Sequence, residues 1–398
     1  MEKKETRFLP HDLLIQILLK LSVMSLLRFK CVCKLWFSLI SDSLFANSHF
    51  QTQTPRILSM TNDPIFEKLS IDFEAPLSYD TACKISNPNF MHPESDFGVE
   101  IINSCRGFIF LHLVKSLCLW NPSTGVYRQI PLSPFNSRCS FRTHYVYLHG
   151  FGYDPLRDDY LIISVSYNHR ILCFTQDIYS CFEFFSLREN TWKEIKGTKL
   201  NMICNAGKYG YPKAGLLFNV AIHWIDFHDI MSHSVIAFDL VERKLVQIPF
   251  PDGFFDEETQ LFHFDVWVFG EFLSLWSVDH GGEVKIWVMK EYKVHSSWTK
   301  ALVFYTDYIP YRQLIFSLIC STKSGDIIAK YRDGLLKYNN EGQLLECEPF
   351  FDGLFEIGSY IQATVYTKSL FSLPDANVQG VEDDTKIAVL KYSPAPFT

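Results

Sequence analysis

Five times between residues 120 and 339 an aromatic side chain is followed directly by a residue read as entering a turn: Trp120-Asn121, Phe185-Ser186, Phe238-Asp239, Trp287-Val288 and Tyr338-Asn339. Counting from the second residue of each pair, a bulky residue recurs six positions on as Tyr127, Trp192, Leu245 and Leu345. Isoleucine recurs nine positions on as Ile130, Ile195 and Ile248. The unit is predicted to be a β-hairpin: the aromatic ends one strand, polar residues such as "NPSTG" or "SLREN" turn the chain, and the bulky residue anchors the return. Successive pairs lie 65, 53, 49 and 51 residues apart. A hairpin cannot bury its faces alone, so a chain that repeats one must stack the copies.

That period is close to the length of a kelch-like β-propeller blade. A long β-sandwich also has many strands, but it predicts no fifty-residue self-similarity. Alternating runs between the hairpins, "GFIFLHL", "GLLFNVAIHWI", "FLSLWSV" and "GDIIAKY", are expected to supply the inner strands of the blades, and "SYIQATVYTKSLFSL" is expected to close the ring. Residues 56 to 100 are too irregular to assign, so the number of blades stays open. The surplus of strand-favouring aromatics, 35 Phe and 19 Tyr, agrees with β structure, and 47% hydrophobic residues argue against disorder.

The first fifty residues follow a different period. Leu13, Ile17 and Leu21 recur every four positions, with Leu14 and Leu18 as a second stripe, which predicts a helix that starts at Pro10 and stops near Leu21. Asp12 adds favourable charge to its first turn. Ser22 is read as the cap of a second helix starting about Met24, whose Leu26, Leu27 and Phe29 lead on to Val32, Cys33, Trp36, Leu39 and Ile40. The boundary is expected between Asn47 and Pro55, which separates a unit of residues 1–50 from one of residues 56–398. So small a helical unit cannot enclose all its leucines, and part of its apolar surface must meet the rest of the chain or a partner.

The segment "LPHDLLIQILLKLSVMSLLRFKCVCKLWFSLISDSLF" resembles an F-box, in particular that of plant F-box proteins, which opens with Leu-Pro and ends in Val-Cys-Lys-x-Trp. The resemblance implies that Leu9, Pro10, Leu13, Ile17, Leu26, Val32, Cys33 and Trp36 form or support a face that docks a Skp-type adaptor, and through it a cullin-RING ubiquitin ligase. Two positions depart from the pattern: Ser22, where proline is usual, and Leu35, where a small polar residue is usual. Further on, "GFGYDPLRDDYLIISVSY", "FEFFSLRENTWKEIKG", "AIHWI", "VIAFDLVERKLVQIPFP" and "KIWVMKEY" resemble, in register, the F-box-associated interaction domain of plant F-box proteins of the kelch and S-locus types. That domain is distinct from the sugar-binding sandwich of some animal F-box proteins, so no glycan ligand is implied. The expected fold class is an α+β multidomain chain, a short helical F-box followed by an all-β kelch-like propeller. Its expected function is the substrate-recognition subunit of a Skp-cullin-F-box ligase. An adaptor-bound scaffold that delivers no substrate, or a propeller enzyme with a fused adaptor motif, are the competing classes.

Chemistry is sparse. Cys31 and Cys33, two apart, do not share a helix face, and no C-x-x-C pair begins a zinc site; Cys33 is read as a small packing residue. His223, His228 and His233 are spaced by five, which puts neighbours on opposite faces of a strand, and no metal or cofactor is expected. "HGG" at His280 lacks a G-x-S-x-G elbow and reads as a hairpin turn, and Asp158-Asp159 as a solvated turn. A non-catalytic receptor fits this better than an enzyme. A formal charge of −7 disfavours nucleic acid as a partner. Residues 1–50 hold 7 of the 37 Lys+Arg but only 4 of the 44 Asp+Glu, a basic head on an acidic body, which implies separate partners. Arg28, Lys30 and Lys34 are read as the solvated rim of the helix or a complement to an acidic adaptor. With no signal peptide, membrane span or N-glycosylation acceptor in the sequence, a reducing cytosol or nucleus is the expected compartment for its 11 cysteines, and no membrane partner is expected. The target is expected on a loop-built face of the body. Tyr305, Tyr308, Tyr311 and Arg312 in "FYTDYIPYRQ" are candidate contacts, since Tyr and Arg are enriched among interface anchors, against the alternative of a strand pair whose tyrosines cover a blade.

Overall fold

The computed structural model describes residues 10–61, 67–85, 99–113, 116–134, 145–168, 180–195, 213–226, 234–255, 261–306, 316–331, 334–349 and 361–374. Four helices open the chain: α1 (His11–Leu19), α2 (Val23–Phe29), α3 (Lys34–Ser41) and α4 (Ser43–Thr52). Pro10 is the residue before α1, and Ser22 caps α2 by accepting the Ser25 N–H at 3.2 Å. The run from Leu26 to Ile40 is two helices rather than one. Val32 and Cys33 are weak helix formers, and Cys33 is extended at the start of α3. Asp42 caps α4, accepting the N–H groups of Leu44 and Phe45 at 2.9 and 3.0 Å.

The first strand begins at Pro55, and six antiparallel sheets follow as the blades of a propeller. From the axis outward, blade 1 is Ile361–Thr367, Pro55–Thr61, Lys68–Ile71 and Cys83–Lys84. Blade 2 is Glu100–Cys105, Phe108–Leu113, Ser116–Trp120 and Tyr127–Ile130. Blade 3 is Tyr145–Asp154, Asp159–Asn168, Ser180–Ser186 and Thr191–Glu194, with Lys213–Ala214 added in parallel at its inner edge. Blade 4 is Leu216–Phe218, Ala221–Asp226, Ser234–Asp239 and Lys244–Pro249. Blade 5 is Leu261–Phe269, Phe272–Asp279, Glu283–Met289 and Trp298–Tyr305. Blade 6 is Ser317–Ser321, Ile327–Tyr331, Gly334–Tyr338 and Leu344–Pro349.

The sequence repeat has a direct physical cause. Trp120 and Tyr127, Phe185 and Trp192, and Phe238 and Leu245 are cross-strand partners in the outer hairpins of blades 2, 3 and 4. In blade 6 a bulge beside Tyr338 moves the pairing to Leu344 and leaves Leu345 half exposed. The residue after each aromatic holds the turn: Asn121 accepts the Ser123 N–H, Ser186 the Glu189 N–H, Asp239 those of Val241 and Glu242, and Asn339 those of Glu341 and Gln343. Trp287-Val288 is the exception, since both lie inside the strand Glu283–Met289. Ile130 ends the outer strand of blade 2 and Ile248 is the last residue but one in that of blade 4, and the proline after each is a clasp. The Pro131 carbonyl accepts the indole N–H of Trp192 in blade 3 at 3.0 Å, and the Pro249 carbonyl that of Trp298 in blade 5 at 3.1 Å.

The runs expected to be inner strands are mostly second strands, as with Phe108–Leu113, Phe272–Asp279 and Ile327–Tyr331. Second strands are covered on both faces by neighbouring blades, so they carry the strongest apolar signal; Phe108, Ile109, Phe110 and Leu111 are fully buried. The innermost strands crowd together instead. A Cβ on Gly150 would meet Ile222 and Trp224 of blade 4.

Ile361–Thr367 closes the ring by pairing along the whole of Pro55–Thr61, from Pro55 with Thr367 to Thr61 with Ile361. Because each blade is an antiparallel meander, its first and third turns leave one end of the ring, and its second turn and the link to the next blade leave the other. The chain enters blade 1 and leaves its closing strand at the first of these, the head end, and the helices pack there. Leu18, Val23, Leu26, Ile40, Phe45 and Ala46 join Phe108, Phe151, Leu370 and Phe371 in one apolar cluster.

A chain ended at residue 360 leaves Pro55–Thr61 without its partner and blade 1 incomplete. It is expected to lose the cooperative unfolding transition of the full chain, as read by calorimetry.

Candidate interaction surfaces

The two leucine stripes of α1 part company. Leu14 and Leu18 pack into the cluster shared with the propeller, whereas Leu13 and Ile17, one turn apart on the opposite flank, are 47% and 50% exposed. Val32 is 62% exposed, and Pro10 and Cys33 are also exposed. Cys33 is exposed rather than packed in the core, contrary to its reading as a packing residue. Leu26 points inward and is fully buried. Trp36 is half-buried, its ring 5.0 Å from that of Phe29. These two hold α2 and α3 in place so that the others can face out. Leu9 lies outside the described residues. Met24, Leu35, Phe37 and Leu44 are also exposed apolar side chains of the head, and the sequence reading did not include them. Leu35 and Phe37 flank Trp36, and their outward placement was signalled only by the departure at Leu35. So many exposed apolar side chains in so short a segment mark an interaction surface. Arg28 and Lys34 are exposed beside it, and Lys30 is half-buried, its pKa lowered by that burial.

At the far end the links between blades span 85–99, 131–144, 195–212, 250–260, 306–316 and 350–360, whereas turns at the head end can be as short as 106–107, 219–220 and 270–271. Tyr305 closes the outer strand of blade 5 toward this far end, paired with Glu283. It is 67% exposed and donates its hydroxyl to the Glu283 carboxylate at 2.9 Å, which holds the phenol above its usual range. Tyr305 is therefore a strand residue with a cross-strand partner; Tyr308, Tyr311 and Arg312 lie outside the described residues.

The described residues weighed for chemistry lie in strands and turns of the blades. His223 is buried, a ring nitrogen 2.8 Å from the Tyr292 hydroxyl, and burial lowers its pKa to about 4. His228 and His233 lie outside the described residues. Among the described residues no group of three or more His, Cys, Asp or Glu is arranged to hold a metal. Gly281 and Gly282 form the turn between two strands of blade 5. Asp159 is not solvated but buried, accepting the Arg188 N–H at 2.9 Å and the Ser186 hydroxyl. Exposed Asp158 pairs with Arg188 at 3.1 Å.

A buried titratable set that the sequence did not reveal sits between blades 2 and 3. Glu100 is the cross-strand partner of His112, whose ring stacks at 5.3 Å on His149 in the next blade. Burial raises Glu100 to about 8 and lowers His112 to about 4 and His149 to about 3, a further push on His149 coming from His112. Each shift favours the uncharged form, which suits an apolar seam between blades.

A helical head with an outward apolar face is thus fused to a closed propeller whose longest connections leave at its other end. The chain belongs to the F-box proteins that carry an F-box associated beta propeller domain: the family model so described matches residues 62–335, and an F-box-like model matches residues 6–51. It is 25% identical to an F-box/kelch-repeat protein of Arabidopsis thaliana over 83% of this chain and 87% of that one. A second Arabidopsis thaliana F-box protein is also 25% identical, over 91% and 89%. Among solved structures, a gluconolactonase from Xanthomonas campestris aligns with a TM-score of 0.32 and 11% identity over 61% of this chain and 72% of that one, a likeness too distant to assign an activity.

Two outcomes are expected. Trp36→Ala should lower stability by about 2–3 kcal/mol, less than a fully buried aromatic costs, as read from urea unfolding. The Glu100 contribution is present below the ordinary carboxyl value of 4.5 and is lost as pH rises through about 8. Stability should therefore fall across that window in the native chain and fall less in Glu100→Gln. The histidines act at the acid end. Their depressed values favour folding above the ordinary 6.5, a contribution lost as pH falls toward about 4.

Proposed function

We propose that this protein is the substrate-recognition subunit of a Skp-cullin-F-box ubiquitin ligase, with the helical head bound to a Skp-type adaptor and the far end of the propeller bound to a target protein. One observation carries the reading. The head turns one apolar stripe into the propeller and leaves Leu13, Ile17 and Val32 in solvent, a division that matches a fixed mount with a free docking face. The basic balance of the head suits an acidic adaptor and would speed its association. The far end suits a target because the connections between blades that leave it are long, and recognition commonly sits on such connections. Tyr305 stands at the rim of that face, leading into the connection that holds Tyr308, Tyr311 and Arg312. A reducing compartment, cytosol or nucleus, suits the eight described cysteines, all unbridged thiols and several exposed.

The test is capture of a purified Skp-type adaptor. Ile17→Asp, at an exposed position, is expected to leave the melting temperature unchanged and weaken adaptor capture by about a hundredfold or more. Capture that survives Ile17→Asp and Leu13→Asp together would remove this face from the reading. For the target side, proteins captured with the proteasome blocked should have longer half-lives in cells lacking this chain; unchanged half-lives would instead make it a scaffold.

A further inference from the structure

The seven residues after the closing strand do not run off into solvent. Ser369 is fully buried, and Leu370 and Phe371 are 4% and 7% exposed. On one side they are held by blade 2. The buried Asn121 amide donates to the Ser369 carbonyl at 3.3 Å, the Ser369 hydroxyl at 3.1 Å and the Phe371 carbonyl at 3.4 Å. Arg128 donates to the Pro374 carbonyl at 3.0 Å. The turn of blade 2 must carry Gly107, at φ +83°, because a Cβ there would overlap Ser369.

On the other side the same segment meets the head. The Phe371 ring lies 5.4 Å from that of Phe50 in α4. Behind it sits Arg106, whose guanidinium is 4.0 Å from the Phe371 ring and 4.0 Å from the Tyr153 ring of blade 3. The Arg106 Nε is buried with no hydrogen-bond partner among the described residues, so the group serves as a flat charged plate between two rings. Phe50, Phe371, Arg106 and Tyr153 thus form one stack that runs from α4 through the carboxy-terminal segment into blades 2 and 3. Within the head, His49 of α4 is fully buried with a ring nitrogen 2.8 Å from the Leu21 carbonyl, which ties α4 to the α1–α2 turn. Whatever orients α4 therefore orients the exposed face of α1.

We infer that residues 368–374 are a strap that locks the helical head to the propeller at a fixed angle, with Phe371 and Arg106 as positioning residues that aim the adaptor face relative to the far end. This rests on the proposed receptor role only for its purpose: a ligase must deliver ubiquitin across a set gap, and default motion between two units would blur that gap. The locked geometry itself does not depend on that role.

The experiment uses the full chain with a donor and an acceptor fluorophore attached by non-cysteine chemistry at exposed Gln16 of α1 and exposed Gly281 at the far end. The native chain should give one narrow distance distribution. Phe371→Ala and Arg106→Ala should each broaden it about twofold or more while the propeller melts as a cooperative unit. Phe371→Tyr, which keeps the ring, should stay narrow. Adaptor capture by Phe371→Ala should remain within about twofold of native, because the face itself is untouched. A distribution as narrow in Phe371→Ala and Arg106→Ala as in the native chain overturns the strap. If Phe371→Ala does not fold, Phe50→Ala acts on the same stack from the head side, and it must broaden the distribution for the proposal to stand. Failure of the receptor reading would appear instead as lost adaptor capture by the native chain, with the distances unaffected.

Discussion

Everything else in this molecule depends on one strand pairing, between Ile361–Thr367 and Pro55–Thr61. A blade buries its faces only against its two neighbours, so an open ring would leave two blades half-covered and the cooperativity of the whole reduced. The pairing also fixes where the chain begins and ends its path through the propeller. Both points fall at the same end of the ring, so helices and strap meet there and the opposite end is left free. Closure, mounting of the head and exposure of the far end are consequences of one ladder of hydrogen bonds.

The two ends differ in how their polar groups are satisfied. At the head end Asn121, Asp239 and Asn339 saturate short turns, and Asp154 is fully buried between Arg157 and Arg243 at 2.8 and 2.9 Å. Burial raises the Asp154 carboxyl, and the hydrogen bonds from the two arginines outweigh it and hold it below its usual value. Such turns are stiff, which suits a mount. Toward the far end, Glu100 is kept neutral with its Oε1 without a partner among the described residues, and the connections are long.

The sequence was legible wherever geometry forces a recurring choice of residue. Cross-strand pairing at each outer hairpin imposes an aromatic, an Asx or Ser turn and a bulky return, and this exposed the blades. The helical period exposed the head. Burial was harder to read: Leu13 and Leu18 are the same residue type on one helix, and no periodicity tells which flank faces out. The closing strand of blade 1 was legible as an alternating run, but its other strands were not, because they lie at the opposite end of the chain and the outer turn, 72–82, does not follow an aromatic that ends a strand. Trp287 misled because an aromatic inside a strand looks the same as one that ends it. Glu100 and Asn103 went unnoticed because polar residues in an innermost strand break its apolar alternation.

Order of synthesis gives the closing strand a further meaning. A ribosome releases the helices first, yet Leu370 and Phe371, which cover their inner flank, and the last strand of blade 1 emerge only after all the strands of the other five blades. Until then the nascent chain carries uncovered leucines and the unpaired edge of Pro55–Thr61, and an unpaired edge favours misassociation. A product cut short never hides them. Covering of the head and completion of blade 1 are therefore one late step, since the same short segment supplies the closing strand and the residues that cover the helices.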